Sequence, residues 1–115
     1  MTRSSTDKGA AGEDIAVRYL RGLGYKILDR NVRLSRFEID IVCRDGECLV
    51  FVEVKHSPSG RFGHPATWID DRKRQHLRQA AEAYLAAHQI DNTEVRFDAI
   101  TIQKGAVEHF PNAFQ

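Results

Sequence analysis

The sequence predicts an α/β domain in which a mixed β-sheet is flanked by helices, with the element order α-β-β-β-α-β. Two observations predict this class. Residues 37–55 alternate with a period of two around a turn signal, and a long helical segment separates this hairpin from a last strand, which permits a parallel crossover. The chain has 115 residues, enough for one hydrophobic core. We therefore expect a single domain over residues 1–115.

The composition is that of a globular protein, since 42% of the residues are hydrophobic and 29% are charged. No uninterrupted apolar run is long enough to span a bilayer, and the N-terminal segment lacks the apolar core of a signal peptide. We expect a cytoplasmic protein without a membrane partner. The net charge is only +1, so any argument for nucleic-acid binding depends on where the basic residues cluster.

The first helix is predicted over residues 8–23, with Thr6 or Asp7 as its N-cap and Gly24 as its C-terminal stop. We expect residues 1–6 to be disordered. One face of the helix is apolar at helical spacing: Ala16, Tyr19, Leu20 and Leu23. Glu13 extends this stripe by one turn, so it lies at the rim of the core or faces a positive charge.

The remaining elements follow from similar patterns. A short strand over residues 25–33 precedes the hairpin, and residues 95–102 form the last strand. Residues 56–69 are rich in glycine and proline, and we expect them to form a mobile loop. The second helix spans about residues 70–88. Its apolar stripe consists of Leu77, Ala80, Ala81, Tyr84 and Ala87.

The Asp45-Gly46 pair is the strongest turn signal in the sequence, because a type I′ turn needs positive φ at both central positions. A two-residue loop at this point pairs Cys43 with Cys48 across the hairpin. Two cysteines at this spacing make neither a disulfide framework nor a zinc site, and we expect both thiols to stay reduced.

Alternation divides the hairpin side chains between two faces. One face is apolar and is expected to pack against the core or a helix: Ile39, Ile41, Cys43, Cys48, Val50, Val52 and Val54. The other face mixes apolar and charged side chains: Glu38, Asp40, Val42, Leu49, Phe51, Glu53 and Lys55. In the expected register Asp40 and Glu53 are diagonal neighbours about 7 to 8 Å apart, near enough for both carboxylates to converge on one cation.

Three carboxylates, those of Glu13, Asp40 and Glu53, are expected to share a half-buried cleft. They would raise one another's pKa values unless a cation neutralised them. Hard oxygen ligands of this kind suit Mg²⁺ or Mn²⁺. The alternative is a solvated hairpin face on which Lys55 pairs with Glu53 or Glu38.

Basic residues cluster at the start of the second helix: Arg72, Lys73, Arg74 and Arg78. Lys73 precedes Leu77 by one helical turn, so it belongs to the buried stripe and can point into the cleft. Arg61 adds a positive charge in the loop. These residues can contact phosphates, although a solvated basic face is the alternative. Trp68 is expected to be a packing residue.

The chain resembles the YraN-like family of small bacterial proteins over nearly its full length, in the runs GEDIAVRYLRGLGYKILDRN, EIDIVCRDGECLVFVEVKH and VRFDAITI. That family is similar to the PD-(D/E)xK nuclease superfamily, and in particular to the archaeal Holliday-junction resolvases. The resemblance implies a restriction-endonuclease-like fold, which agrees with the element order above. The D…(D/E)-x-K motif by itself is weak evidence for this superfamily. It becomes more specific when it lies on a hairpin that follows a helix with a glutamate.

The resemblance also implies roles for individual residues. By it, the catalytic residues are Asp40, Glu53, Lys55 and Glu13. The metal ligands are Asp40, Glu53 and the backbone carbonyl of Val54, and Glu13 completes or supports this set.

Two positions depart from the family's pattern. Ile39 occupies the position of the motif's proline, a substitution common in the superfamily. Phe37 stands where relatives usually have glycine before the glutamate, and we expect its ring to narrow the cleft.

The functional hypothesis is a Mg²⁺- or Mn²⁺-dependent endonuclease that hydrolyses phosphodiester bonds of DNA in preference to RNA, with branched DNA as one candidate. Lys55 would orient the attacking water or neutralise charge in the transition state. A branched substrate would favour a two-fold homodimer. Two alternatives remain open: a catalytically silent nucleic-acid-binding module of the same fold, and a protein-interaction domain whose acidic face is only solvated.

Overall fold

The computed structural model describes residues 5–34, 36–57 and 64–114. The elements of these ranges, in chain order, are α1 (Ser5–Gly22), β1 (Lys26–Leu34), β2 (Phe37–Asp45), β3 (Cys48–Ser57), a 3₁₀ helix (Pro65–Thr67), α2 (Asp71–Ala87), β4 (Val95–Gln103) and β5 (Ala106–Phe114). The α/β class and the predicted order are confirmed, and β5 is an additional strand. Neither α-helix of the described ranges is long and apolar enough to cross a membrane.

The five strands form one mixed sheet in the order β1-β2-β3-β4-β5. β3 and β4 are parallel, since α2 carries the chain back between them, and the other neighbouring strands are antiparallel. α1 packs on one face of the sheet and α2 on the other. This is the mixed sheet flanked by helices that a restriction-endonuclease-like fold requires.

The hairpin of β2 and β3 presents its apolar face to α1. The side chains buried at this contact are those of Ala16, Val17, Leu20, Ile41, Cys43, Val50 and Val52. Ile39 is an exception, because it packs in the cluster on the α2 side. The β2–β3 ladder ends at Ile41, and beyond this residue β2 pairs with β1 alone, so the hairpin's alternation no longer determines where Ile39 points.

The C-terminus of α1 is closed by the predicted glycine. Gly24 has a φ of +91°. Its N–H donates to the carbonyl of Arg21 at 2.9 Å, and the N–H of Tyr25 donates to the carbonyl of Leu20 at 3.1 Å. These two bonds form a Schellman motif, which turns the chain directly into β1.

The start of α1 differs from the prediction. Thr6 and Asp7 lie inside the helix, which is described from Ser5 onward, because no helix-breaking residue stands in this segment. Residues 5 and 6 of the segment predicted to be disordered lie in α1, and residues 1–4 lie outside the described ranges. Leu23 is half exposed, since it follows the last helical residue and is not part of the buried stripe.

The boundaries of α2 match the prediction closely. Asp70 is the N-cap, and its carboxylate accepts a hydrogen bond of 2.8 Å from the N–H of Lys73. His88 is the C-cap. Ala87 is exposed, because it lies in the last turn, where the helix leaves the sheet. The buried stripe consists of Leu77, Ala80, Ala81 and Tyr84.

The hairpin turn lies one residue later than predicted. Asp45 pairs with Cys48, so the loop residues are Gly46 and Glu47. Only Gly46 has a positive φ, +61°, as in a type II′ turn. Asp45 remains in β2, where its carboxylate accepts a hydrogen bond of 2.9 Å from Arg96 of β4.

The predicted pairing of the two cysteines is consequently wrong. Cys43 pairs with Val50, and Cys48 pairs with Asp45. Each partner moves by two positions, so the partners change while the two faces of the paired part of the hairpin, residues 41–52, stay as predicted. Both thiols are free, and burial raises the pKa of Cys43 to about 12.

The sequence does not predict β5. Its turn with β4 consists of Lys104 and Gly105, which both have positive φ, and Lys-Gly is a weaker turn signal than Asn-Gly. Pro111 also argues against a strand. β5 accommodates this proline because it is an edge strand whose register shifts opposite Asp98.

The segment predicted as a mobile loop, residues 56–69, has regular structure at both ends. His56 and Ser57 extend β3 and pair with β4. Pro65 begins the 3₁₀ helix and is buried, as is Ile69, because both pack against the end of the sheet. Residues 58–63 lie outside the described ranges.

Candidate metal and nucleic-acid site

Asp40 and Glu53 meet where the β2–β3 ladder ends. The last pair of this ladder is Ile41 with Val52. Asp40 and Glu53 are the next residues on the two strands, and they lie close enough for Glu53 to act on Asp40 through its charge and a hydrogen bond. The backbone N–H of Val54 donates a hydrogen bond of 2.8 Å to Oδ2 of Asp40. The end of the ladder thus brings the two acids together.

The electrostatics of this pair disfavour two negative charges. The pKa of Asp40 is raised to about 8. Burial is the largest cause, the charge and hydrogen bond of Glu53 act in the same direction, and the N–H of Val54 opposes them. The charge of Glu13 raises the pKa of Asp40 further. Without a cation, the site therefore favours the protonated form of Asp40.

Glu13 of α1 is buried, and its charge acts on Asp40. It is not among the residues that line the cleft between the hairpin and α2, so the structure does not place all three carboxylates in one cleft. The helix can come close to β3 because Gly12 has no side chain: a Cβ at this position would lie 2.9 Å from Cβ of His56. Arg30 lies 3.7 Å from Oε1 of Glu13. Burial raises the pKa of Glu13, and the charge of Arg30 partly offsets this.

An open cleft of about 390 Å³ lies between the hairpin and α2. Its walls bring together the predicted hairpin residues Asp40, Glu53 and Lys55 with Lys73 of α2. A second cleft of about 350 Å³ continues past Lys55 and Lys73 toward Trp68. Acidic and basic side chains are thus concentrated in one continuous depression.

Lys73 forms an ion pair with Glu53 in this cleft. Its Nζ atom lies 2.7 Å from Oε2 of Glu53. Burial would lower the pKa of Lys73, but the hydrogen bond and charge of Glu53 outweigh it, and the pKa is raised. The lysine that the sequence places on the buried stripe does point into the cleft.

The predicted basic cluster is divided by the geometry of α2. Arg72 lines the second cleft. Arg74 and Arg78 line neither cleft, because successive helical residues are rotated by about 100°, and Arg74 pairs with Asp71 at 3.6 Å. Arg61 lies outside the described ranges.

The donor set fits a small divalent cation. No group of three or more histidine, cysteine or acidic side chains is arranged as a metal centre within residues 5–34, 36–57 and 64–114. Asp40 and Glu53 form a pair, however, and Mg²⁺ commonly takes one or two carboxylates and keeps several waters. Oε1 of Glu13 is buried and accepts no hydrogen bond from the described residues. The negative charge of Glu13 is therefore only partly compensated, and it acts on Asp40.

Arg36 and His76, for which the sequence predicted no role, also line the cleft, together with Phe37. The ring of His76 lies 5.2 Å from that of Phe37, measured between centroids, and the guanidinium of Arg36 lies 5.8 Å from the Phe37 ring. Phe37 therefore forms part of the cleft rim. His76 follows Lys73 by three residues on the same helical face, a spacing that could have identified it.

A second polar cluster lies on the α1 face of the sheet. Asp98 is fully buried; it accepts hydrogen bonds from Nε of Arg96 at 2.8 Å and from the N–H of Asn112 at 2.9 Å, and it bonds Nε2 of His109 at 2.7 Å. Burial opposes its ionisation, but the hydrogen bonds with His109, Arg96 and Asn112 outweigh it and lower its pKa. The cluster holds β5 to β4 at their register shift. One sequence pattern indicates this cluster: Arg96 and Asp98 occupy the same alternating positions of β4 as the buried Ile100 and Ile102.

The comparison with known families adds the following. A family model described as "Uncharacterised protein family UPF0102" matches residues 12–102. The chain belongs to this family. The resemblance to the YraN-like family is thereby confirmed. The UPF0102 match extends from α1 to β4 and so includes Glu13, Asp40, Glu53, Lys55 and Lys73.

UPF0102 proteins of several bacteria are similar to the chain over nearly its whole length. That of Syntrophotalea carbinolica is 42% identical, over 99% of this chain and 96% of its own length. The protein of Geobacter metallireducens is 42% identical, over 100% of this chain and 98% of its own length. The protein of Persephonella marina is 45% identical, over 93% of this chain and 92% of its own length.

Proposed function

We propose that this UPF0102 protein is a metal-dependent nuclease that hydrolyses phosphodiester bonds of nucleic acid, DNA in preference to RNA. One observation carries the proposal: Asp40 and Glu53 interact at one end of a hairpin, in a cleft that Lys55 and Lys73 also line. Paired carboxylates suit a divalent cation, and lysines suit the phosphate that such a cation binds.

Each side chain has a role in this proposal. Asp40, Glu53 and the carbonyl of Val54 would hold a Mg²⁺ or Mn²⁺ ion, with Glu13 as a supporting charge. When bound, the ion supplies an activated water and neutralises charge on the phosphate. The ammonium of Lys55 stabilises the negative charge that develops on the phosphate oxygens in the transition state. Arg72, in the adjoining cleft, binds a flanking phosphate.

A second candidate function is a catalytically silent nucleic-acid-binding module. The observation that favours it is that two of the acids already form ion pairs with basic side chains of the protein. Lys73 lies 2.7 Å from Glu53, and Arg30 lies 3.7 Å from Glu13. In this case the basic side chains bind phosphates, and no metal is needed.

A cleavage assay tests the proposal. Branched, flapped and single-stranded DNA and matched RNA are incubated with the protein in Mg²⁺, Mn²⁺ or EDTA. Asp40→Asn and Lys55→Ala are expected to reduce cleavage by about 100-fold or more. Asp91→Asn and Lys26→Ala, which change exposed residues outside the cleft, are expected to cleave as the wild type does.

The two candidates differ in a measurable way. Binding of labelled DNA that is equal in EDTA and Mg²⁺, together with no cleavage of any substrate, would identify the silent module. A branched junction presents two equivalent strands, so we also propose a two-fold dimer on such DNA, which sedimentation of the complex measures.

A further inference from the structure

Lys73 reaches from the first turn of α2 to the acidic centre of the cleft. Its Nζ atom lies 2.7 Å from Oε2 of Glu53, and only 13% of the Glu53 side chain is exposed. A carboxylate buried to this extent needs a positive partner. Lys73 therefore supplies, at this oxygen, the charge that a bound cation would supply.

The backbone of Lys73 is fixed, whereas its side chain can move. The N–H of Lys73 donates to the cap residue Asp70 at 2.8 Å, which fixes the start of α2. The side chain is a flexible four-carbon stem, and 45% of it is exposed. The ammonium group can leave Glu53 and turn toward the open side of the cleft without any movement of the helix.

A divalent cation and an ammonium group cannot both remain close to Glu53, because two positive charges a few ångströms apart repel each other strongly in a partly buried cleft. A cation that binds to Asp40 and Glu53 must displace Lys73. On the open side of the cleft lie Arg72 and Lys55, next to which the proposed function places a phosphate of the nucleic acid. The displaced ammonium group has an anion within reach there.

We propose that Lys73 is a displaceable counter-ion: metal binding at Asp40 and Glu53 releases it, and the released ammonium then binds a phosphate of the nucleic acid. The inference rests on the proposed function and adds a regulation of the same site. Metal and nucleic acid then strengthen each other's binding by the same factor, since coupling between two binding sites is reciprocal.

The first measurement is a calorimetric titration of the full chain with Mn²⁺ at fixed pH and ionic strength. Lys73→Met removes the competitor, so its Mn²⁺ affinity is expected to rise by roughly tenfold, within the usual range of coupling between sites. Lys73→Arg keeps the charge and is expected to behave as the wild type. Arg72→Met is the matched control, because it removes a positive charge from the cleft but leaves the Lys73–Glu53 pair, and a much smaller rise is expected.

The second measurement is the fluorescence anisotropy of a labelled single-stranded DNA oligonucleotide, in Ca²⁺ and in EDTA. Ca²⁺ is expected to raise the affinity of the wild type, and Lys73→Met is expected to lose most of this increase while binding normally in EDTA. Arg72→Met is expected to weaken binding equally in both conditions, since its phosphate contact does not depend on metal.

The outcomes separate this inference from the function on which it rests. If the wild type binds Mn²⁺ and the folded Lys73→Met variant binds it no more tightly than Arg72→Met does, the inference is overturned and the nuclease proposal stands. If the wild type and all variants fail to bind Mn²⁺, both are overturned. Circular dichroism verifies the fold, and Lys73→Gln repeats the measurement if the methionine variant is unfolded.

Discussion

The backbone N–H of Val54 donates a hydrogen bond of 2.8 Å to Oδ2 of Asp40, at the point where the β2–β3 ladder ends. Asp40 therefore has two separable properties. Its oxygen accepts a hydrogen bond that helps to join the two strands, and its charge is disfavoured by burial and by Glu53. Substitutions that remove the charge but keep the oxygen distinguish a metal-binding acid from a structural one.

Asp40→Asn is expected to leave the free energy of unfolding of the metal-free protein unchanged or to raise it, because the amide oxygen still accepts from Val54 and no charge remains. Asp40→Ala leaves the N–H of Val54 without its acceptor, so this variant is expected to lower the free energy of unfolding by about 1 to 3 kcal/mol. Urea unfolding in EDTA measures both. Equal destabilisation by the two variants would show that the charge itself is structural. Calorimetric titration with Mn²⁺ is expected to show weaker binding in both.

The stability of the metal-free protein should depend on pH through Asp40. Its pKa is raised from 3.8 to about 8 when the chain folds, so its favourable contribution is complete below about pH 4 and is lost as the pH rises toward 8. Between these limits the free energy of unfolding should fall by up to about 1.4 kcal/mol per pH unit. The difference between wild type and Asp40→Asn in EDTA, measured from pH 4 to 9, isolates this effect; a constant difference would contradict it.

The division of the basic cluster predicts a contrast between two arginines of α2. Arg72 lines the cleft and Arg78 does not. Arg72→Ala is expected to weaken DNA binding and to reduce the slope of log affinity against log salt by about one unit. Arg78→Ala, the control on the same helix, is expected to change neither. Equal effects of the two variants would indicate diffuse binding by the whole helix surface.

Asp98→Asn is expected to lower the free energy of unfolding by about 3 to 5 kcal/mol, because it removes the charge that Arg96 and His109 share in a buried cluster. Asp91→Asn, at an exposed position, is the control. Urea unfolding measures the change. The Mn²⁺ affinity of the folded variant is expected to stay the same, since Asp98 faces α1 and the cleft faces α2; a loss of affinity would place Asp98 in the site.

Two glycines of α1 make a matched pair. Gly12→Ala would place a Cβ 2.9 Å from Cβ of His56, so α1 and β3 must separate, and a loss of about 1 to 3 kcal/mol is expected. Gly22→Ala meets nothing within 4 Å and is expected to stabilise the helix by up to about 1 kcal/mol. Thermal unfolding of both variants measures the difference, and a stabilising Gly12→Ala would contradict the close approach.

Several features of the site could be predicted because they depend on local sequence. The period of two placed Asp40, Glu53 and Lys55 on one side of the hairpin, and the helical period placed Glu13 and Lys73 on buried stripes. The helical period also predicts that Arg72, Arg74 and Arg78 face different directions. The sequence prediction had treated them as one cluster because all three are basic. The hairpin register was missed because Asp45 is held in β2 by Arg96, a residue far along the chain.

The sequence by itself determined the faces of the paired hairpin residues, the C-terminal stop of α1 and the boundaries of α2, because alternation, helical periodicity and capping depend on residues within a few positions of one another. Only the tertiary structure decided the distances between segments. The parallel pairing of β3 with β4 and the packing of α2 bring Lys73 to 2.7 Å from Glu53, and the same sheet assembles Arg96, Asp98 and His109. Such contacts depend on how remote segments dock, and side-chain packing sets that docking over the whole domain rather than within any local pattern.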